Sequence, residues 1–356
     1  MLQFVHDQQF RSEATTIGEC QTGFFYGSAR VTFFHTLPGT YIMQTVLHSF
    51  IALIIIELSF YAWDIRDHLS RFRYRLMPLV LPIFMFPLYQ VLTPERGTWH
   101  FRLTTALFDS NRWLDLKVLN IYPVALLVLA VLVGFSCVFL LQEIFPIFSR
   151  RNSQPQYPEC LEGEEDVRAI LKSACALLGT EEPGVILIET PAPVLFTQGY
   201  KNHSIVISTG LIGMLDQEQL RNALIHEVVH MKRNSNLKTQ IIYLIRMVMF
   251  YNPVSLVEFR RIVHDDEFIC DAITMSMTSD PQALISALSA FYYHPEDLSG
   301  KLSQVKEQVE SHSHNLLLDE RIRNLAEDRY RKNERFAWPQ YLLTLSAILL
   351  FGYRVV

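Results

Sequence analysis

This 356-residue chain is short of charge: only 19% of its residues are Asp, Glu, Lys or Arg, against about a quarter in an ordinary soluble domain. Residues 76–94 and 118–142 contain none of these four residue types, and each stretch is long enough to cross a hydrocarbon core of about 30 Å. The five cysteines, Cys20, Cys137, Cys160, Cys175 and Cys270, include no paired metal spacing. Most fall in segments assigned below to membrane or cytoplasm, which argues against a disulfide framework. With 31 basic and 36 acidic residues, a net charge of −5 and no concentrated basic patch, direct nucleic-acid binding is not expected. There is no early basic region with a cleavage site and no internal repeat or low-complexity tract. The first apolar run is therefore expected to be an uncleaved anchor.

Half the residues are hydrophobic, and the apolar runs define a layout. Residues 41–63, apolar except for His48 and Glu57, form an expected first span; 76–94 and 118–142 are the second and third; 336–353, bracketed by Arg335 and Arg354, is the fourth. Residues 64–75 carry four arginines, which places that loop in the cytoplasm. Alternation then puts residues 1–40 and the 94–117 loop outside, three spans within 41–146, a domain at 147–335 inside, and the last span within 336–356. Glu57 lies near the cytoplasmic end of its span, where hydration keeps its cost low, and His48 reads as a packing residue. Residues 241–257 are apolar but hold Arg246 and Pro253. A full crossing would place a charge near the bilayer centre at about 2.5–3.5 kcal/mol. It would also part the residues on either side of it, so this segment is expected to be a buried or membrane-adjacent helix unless it dips in and returns.

The chemistry centres on His226-Glu227-Val228-Val229-His230. On a helix this places two imidazoles one turn apart beside a carboxylate, the arrangement of a zinc site with its own general base. The preceding run from Asp216 supplies good helix formers and apolar residues at Leu220, Ala223 and Leu224. A catalytic zinc usually takes three protein ligands. In the second polar stretch, His264 to Asp271, Glu267 and Asp271 share one helical face. Glu267 is the expected third ligand on the two-histidine-plus-glutamate pattern of zinc peptidases, and His264, on the same face, is its rival. Asp271 is expected to take the Nδ1 proton of a ligand histidine, while Asp265 and Asp266 point elsewhere on the wheel.

Three motifs in order, Leu224 to Arg233, Phe250-Tyr-Asn-Pro-Val254 and Glu267-Phe-Ile-Cys-Asp271, give the chain its resemblance to the BlaR/MecR-like membrane zinc metallopeptidases, of the gluzincin type. A looser similarity to the HtpX-like peptidases covers the same core, roughly residues 165–330. Two departures stand out: Ser235 where the family usually has an Asp, and no penicillin-binding sensor domain following the last apolar segment, so beta-lactam sensing is not expected. The resemblance implies a zincin-like α+β peptidase domain with a small sheet, one catalytic Zn2+, and an edge strand that pairs with substrate backbone, for which Val194, Leu195, Phe196 and Thr197 are the candidates. A histidine-then-arginine element of the HtpX-like enzymes is matched by His314 and Arg321, either of which would serve as an extra donor to the anionic transition state.

The expected fold class is thus mainly α: multi-span membrane helices plus a cytoplasmic peptidase domain. Within that domain a helix is expected at 164–178, with strands at 185–189, 193–197 and 205–209. The expected function is endoproteolysis of a cytoplasmic or membrane-associated protein, for example a repressor in regulated signalling, or turnover. Zinc at His226, His230 and Glu267 would activate water, and Glu227 would shuttle the proton. The competing reading is a membrane receptor or scaffold with a structural or inactive metal site. Intact Glu227 weighs against it, because a structural zinc needs no base between its histidines.

Overall fold

The structure, a computed structural model, describes residues 32–118, 122–141, 164–199, 202–291, 303–327 and 336–356. Most of the first forty residues, Arg150, Arg151 and the basic residues of 328–335 lie outside the described residues, as do the side chains of His312 and His314. Apart from a three-stranded sheet and a two-residue ribbon, the described secondary structure is helical.

The apolar segments form a helical bundle. Helix α1, Leu37–Ala62, is capped by Thr36, whose hydroxyl accepts from the Gly39 N–H. Helix α2, His68–Arg75, runs into α3, Met77–Leu92. Two helical runs, Leu37–Ala62 and His68–Leu92, are long and apolar enough to cross a membrane. Helices α4, Val124–Phe139, and Trp338–Tyr353 are shorter, at 16 residues each. Ala52, Ile56 and Phe60 of α1 pack with Tyr74, Met85 and Tyr89 and with Ile348 near the chain's end. His48 is buried, with Nε2 3.1 Å from the Gly352 carbonyl oxygen.

The segment that begins at residue 164 stacks helices on a small mixed sheet. Helix α5, Glu164–Leu178, spans the expected residues. Strands β1, Gly184–Ile188, β2, Leu195–Gln198, and β3, Ser204–Ser208, lie in the order β1-β3-β2, with β1 parallel and β2 antiparallel to β3. Strand β2 begins two residues later than expected, after Pro193. Strand β3 stops at Ser208 because that side chain turns to cap the next helical turn, accepting from the Leu211 N–H. Gly199 closes β2 at φ +91°, where a Cβ would collide with the Asn202 carbonyl. Helix α6, Gln217–Arg233, starts from a capping box between Asp216 and Gln219. Its Leu220, Leu224 and Val228 pack on Val167 and Leu171 of α5 and on Ile205 and Ile207 of β3.

Residues 241–257 are not one helix. Helix α7, Ser235–Val248, and helix α8, Pro253–Thr278, form a hairpin whose turn falls at Asn252-Pro253. Asn252 accepts from the Val254 N–H and Pro253 occupies the first turn, where its missing N–H costs nothing. The hairpin tip enters the bundle: Tyr251 Oη is 2.9 Å from Thr45 Oγ1, and Asn252 Nδ2 donates to Ser49 Oγ at 2.7 Å. Arg246 is buried over the rings of Phe139, Tyr243 and Phe259, which explains how an arginine is carried inside an apolar run.

A charge cluster joins bundle and hairpin. Arg75 lies 3.2 Å from Glu258 Oε2 and 3.0 Å from Asp265 Oδ2. Arg261 reaches Glu57 at 2.7 Å and Glu258 at 2.9 Å, and His68 Nδ1 is 2.8 Å from Asp265 Oδ1. Glu57 of α1 is thereby tied to the helix that carries Glu267. Beyond the hairpin, α9, Pro281–Ser289, packs against α10, Ser303–Ala326, through Leu284, Leu288, Leu318 and Leu325. The terminal apolar helix, Trp338–Tyr353, is α11.

Candidate metal centre

Helix α6 delivers His226 and His230 to one face, and α8 delivers Glu267 opposite them. The two Nε2 atoms are 3.0 Å apart. Glu267 Oε2 lies 3.5 Å from His226 Nε2, and Oε1 lies 3.4 Å from His230 Nε2. Tetrahedral zinc with arms of about 2.0–2.1 Å separates its ligand atoms by about 3.4 Å, close to the spacing of the two Nε2 atoms and of each from the nearer Glu267 oxygen, so the two imidazoles and the carboxylate fit that ion. The far sides of both rings point the same way. His226 Nδ1 is 3.2 Å from Asp271 Oδ1, and His230 Nδ1 is 3.5 Å from Cys270 Sγ. A proton on each Nδ1 leaves the two Nε2 atoms as the ligating pair, and Arg321 Nη2 also lies 3.3 Å from that of His226.

The charges around the trio are arranged by burial and by Arg321 of α10. Its Nε and Nη2 donate to the two oxygens of Asp271 at 2.8 and 2.7 Å, and Nη1 lies 3.0 Å from Glu267 Oε2. Burial raises the Asp271 carboxyl, but the Arg321 guanidinium and the His226 contact outweigh it, so its pKa falls below the ordinary value. Glu267 is held well below the carboxylate range, because His230 and Arg321 overcome the desolvation of its site. In the metal-free protein burial pushes both imidazoles down, yet Asp271 and Glu267 raise His226, and Glu267 and Cys270 raise His230 further.

Glu227 faces strand β2. Its Oε2 accepts a 2.7 Å hydrogen bond from Thr197 Oγ1 on β2, and the Thr197 carbonyl accepts one of 2.7 Å from Asn236 Nδ2. Residues 194–199 thus lie at the sheet edge nearest the trio. Ser208 N donates to Val194 O; antiparallel alternation then turns the backbone groups of Leu195 and Thr197 away from β3, toward the open edge. An open cleft of about 480 Å³ runs along this edge, between Thr197 to Gly199 and Asn236, Gln240, Val263 and Glu267.

The structure brings together His226, Glu227, His230, Glu267, Asp271, Thr197 and Arg321. His264 is outside the group whose ligating atoms converge. Asp266 does not point away from the site: it lies 4.0 Å from His230 Nδ1 and takes a 2.6 Å hydrogen bond from Arg233. His230, Asp266 and Cys270 form a second group of convergent donors, but on the Nδ1 side of the ring. Ser235, the departure from the family pattern, is buried with its hydroxyl unbonded among the described residues. Four contacts escape sequence reasoning: Thr197 to Glu227, Asn236 to Thr197, Cys270 to His230, and the two-pronged grip of Arg321 on Asp271. Each joins residues at least 30 positions apart, so no local pattern signals it.

A helix-borne pair of histidines and a carboxylate from a second helix is the donor set of a metallopeptidase centre. Residues 111–282 match the family model described as BlaR1 peptidase M56. That segment contains all of α6, α7 and α8, so the likeness to the BlaR1 peptidases falls on the helices that carry the donor trio. The crystal structure of Ste24p from S. mikatae is similar at 12% identity, covering 91% of this chain and 78% of that one with a TM-score of 0.23. No curated protein matches the chain.

Proposed function

We propose that this protein is a membrane-anchored zinc endopeptidase whose zinc is held by His226, His230 and Glu267. The observation that carries the reading is the convergence of those three donors within 4.8 Å of one another, with Glu227 next to His226 on the same helix and bonded to Thr197, which lines the cleft. Bound there, zinc would supply Lewis-acid polarisation and a water acidified toward neutral pH. The chain's own residues supply the rest. Glu227, between the two ligand histidines and within reach of Thr197, accepts a proton from the attacking water and returns one to the leaving amine. Asp271 fixes the tautomer and plane of His226, and Arg321 holds Asp271 and Glu267 in place. Arg321 is a positioning residue on this reading, in preference to a direct donor to the transition state; the His314 side chain lies outside the described residues. The outward backbone groups of Leu195 and the Thr197 N–H pair with an extended substrate, the Thr197 carbonyl being taken by Asn236, which gives affinity without demanding particular side chains.

The four apolar segments are read as four spans with the peptidase domain in the cytoplasm, supported by the arginines of α2. The substrate is then a cytoplasmic or membrane-associated protein, cut in signalling or turnover, with a repressor as one such target. The test compares zinc-loaded wild type with Glu227→Ala in detergent. Equal zinc with cleavage only by wild type is expected. Stoichiometric zinc with no difference in cleavage between the two proteins would favour a receptor or scaffold with a structural metal.

A further inference from the structure

The depth of the α7–α8 hairpin bears on where the cleft stands relative to the bilayer. Helix α1 has no charged residue between Thr36 and Ile56. That run of 21 residues spans about 31 Å at 1.5 Å per residue, the thickness of a hydrocarbon core. Thr45 and Ser49, which receive Tyr251 and Asn252, bracket its centre. The hairpin tip therefore sits near mid-bilayer. On the inner side of that centre stands the charged cluster of Glu57, Arg75, Glu258 and Arg261, with Glu258 six positions, about 9 Å, along α8 from Asn252.

From Glu258, α8 continues without a break into the cleft. Val263 on the cleft floor is five positions on, about 7–8 Å, and Glu267 nine positions on, about 14 Å at most, since any tilt shortens both. A headgroup layer occupies roughly 5–8 Å beyond the hydrocarbon. Reckoned from the tip at Asn252, Val263 is about 16 Å and Glu267 about 22 Å away against a half-thickness of about 15 Å, so the floor of the cleft lies at the hydrocarbon boundary and the donor trio within the headgroups. The outer face of α7 agrees. Leu237, Ile241, Leu244 and Val248 recur at helical spacing, each 45–63% exposed, in a stripe that leads from the tip up to the cleft wall at Asn236 and Gln240. Lipid is the occupant that continues the apolar surface of α1 and α3, whose Ile54, Leu58, Phe84 and Leu88 are also exposed.

We infer that the hairpin is embedded in the inner leaflet and that the substrate is a membrane-anchored polypeptide cut within about ten residues of its anchor. An extended chain advances about 3.3 Å per residue, so four or five residues beyond a span suffice to reach Glu267. The inference rests on the membrane-peptidase reading above.

Two measurements on the full-length protein in liposomes test it. First, benzoylphenylalanine is introduced at Leu244, with Glu218 on α6 as control. Photocrosslinks to acyl chains at 244 and none at 218 are expected; absence of lipid adducts at 244 would overturn the placement. Second, a mixed-sequence internally quenched peptide is tethered to a palmitoyl chain through a Gly-Ser linker of five or forty residues. Zinc-loaded wild type is expected to cut the short-tethered peptide at least tenfold faster than the long-tethered one, with Glu227→Ala inert on both. Faster cutting of the long-tethered peptide would overturn the substrate class and leave the peptidase reading intact. Cutting of neither peptide beyond the Glu227→Ala level would overturn the peptidase reading and the substrate class with it, while the crosslinks still report the depth of α7.

Discussion

The Thr197 hydroxyl donates to the Glu227 carboxylate at 2.7 Å, joining the edge strand that borders the cleft to the carboxylate of the motif helix. One residue therefore presents its backbone to the open edge and its side chain to the proposed base. Replacing it by valine keeps the shape and removes the donor. Thr197→Val is expected to lower kcat/KM about tenfold, the worth of one charge-assisted hydrogen bond at the weak end of its range, with zinc content unchanged. Steady-state kinetics with metal analysis of the same preparation checks this.

Asp271 has no exposed side-chain surface and is gripped by Arg321 through two bonds. Arg321→Ala strands a buried carboxylate, and Asp271→Ala strands a buried guanidinium. Each is expected to destabilise the fold by about 3–5 kcal/mol and to weaken zinc binding about 10–100-fold. The double variant should cost less than the sum of the two. Chemical unfolding of the three variants, with chelator competition for zinc, reads both effects.

Zinc binding should strengthen with pH. In the metal-free protein both ligand histidines sit above their ordinary value of 6.5. Their contribution to folded stability is therefore present below that value and is lost as pH rises through the raised pKa values. Zinc requires both rings neutral, so it displaces those protons, and below the raised pKa values its affinity is expected to rise about tenfold per unit increase in pH for each proton displaced. Competition with a colorimetric chelator at pH 6, 7 and 8 gives the slope. A flat profile would mean that neither imidazole binds the metal.

The Arg75–Glu258 pair ties α2 to α8 with both side chains largely buried. Glu258→Ala is expected to destabilise by about 3 kcal/mol, the cost of breaking a buried pair from one side. Glu57→Gln, at a half-exposed partner, should cost under about 1 kcal/mol. Thermal unfolding in detergent distinguishes them.

The legible part of this chain is what local pattern encodes. The His226 to His230 spacing, the periodicity of Glu164 to Leu178 and the charge-free runs each carry their structure within one turn or one span. Glu267 was legible by analogy of donor sets, and its convergence with the histidines follows from the two helices packing face to face. The hairpin was only half legible. Pro253 broke the segment in the sequence, but its reversal depends on Asn252 finding Ser49, 203 positions away. Asp266 was misjudged because an ideal wheel places it off the Glu267 face, whereas Arg233 at the end of α6 draws it toward His230. Arg321 reaches the site from a helix whose sequence reads as an ordinary charged surface, and only tertiary packing reveals that it is buried.

Helix α8 is a single stiff rod from the hairpin tip to Thr278, and the metal-ligand carboxylate is mounted on it 15 positions, about 22 Å, from Asn252. Such a rod works as a lever with its fulcrum among the apolar helices. A tilt of about 3° at the tip swings Glu267 by about 1 Å, and a misplacement of that size is enough to cost a catalytic centre on the order of a hundredfold in rate.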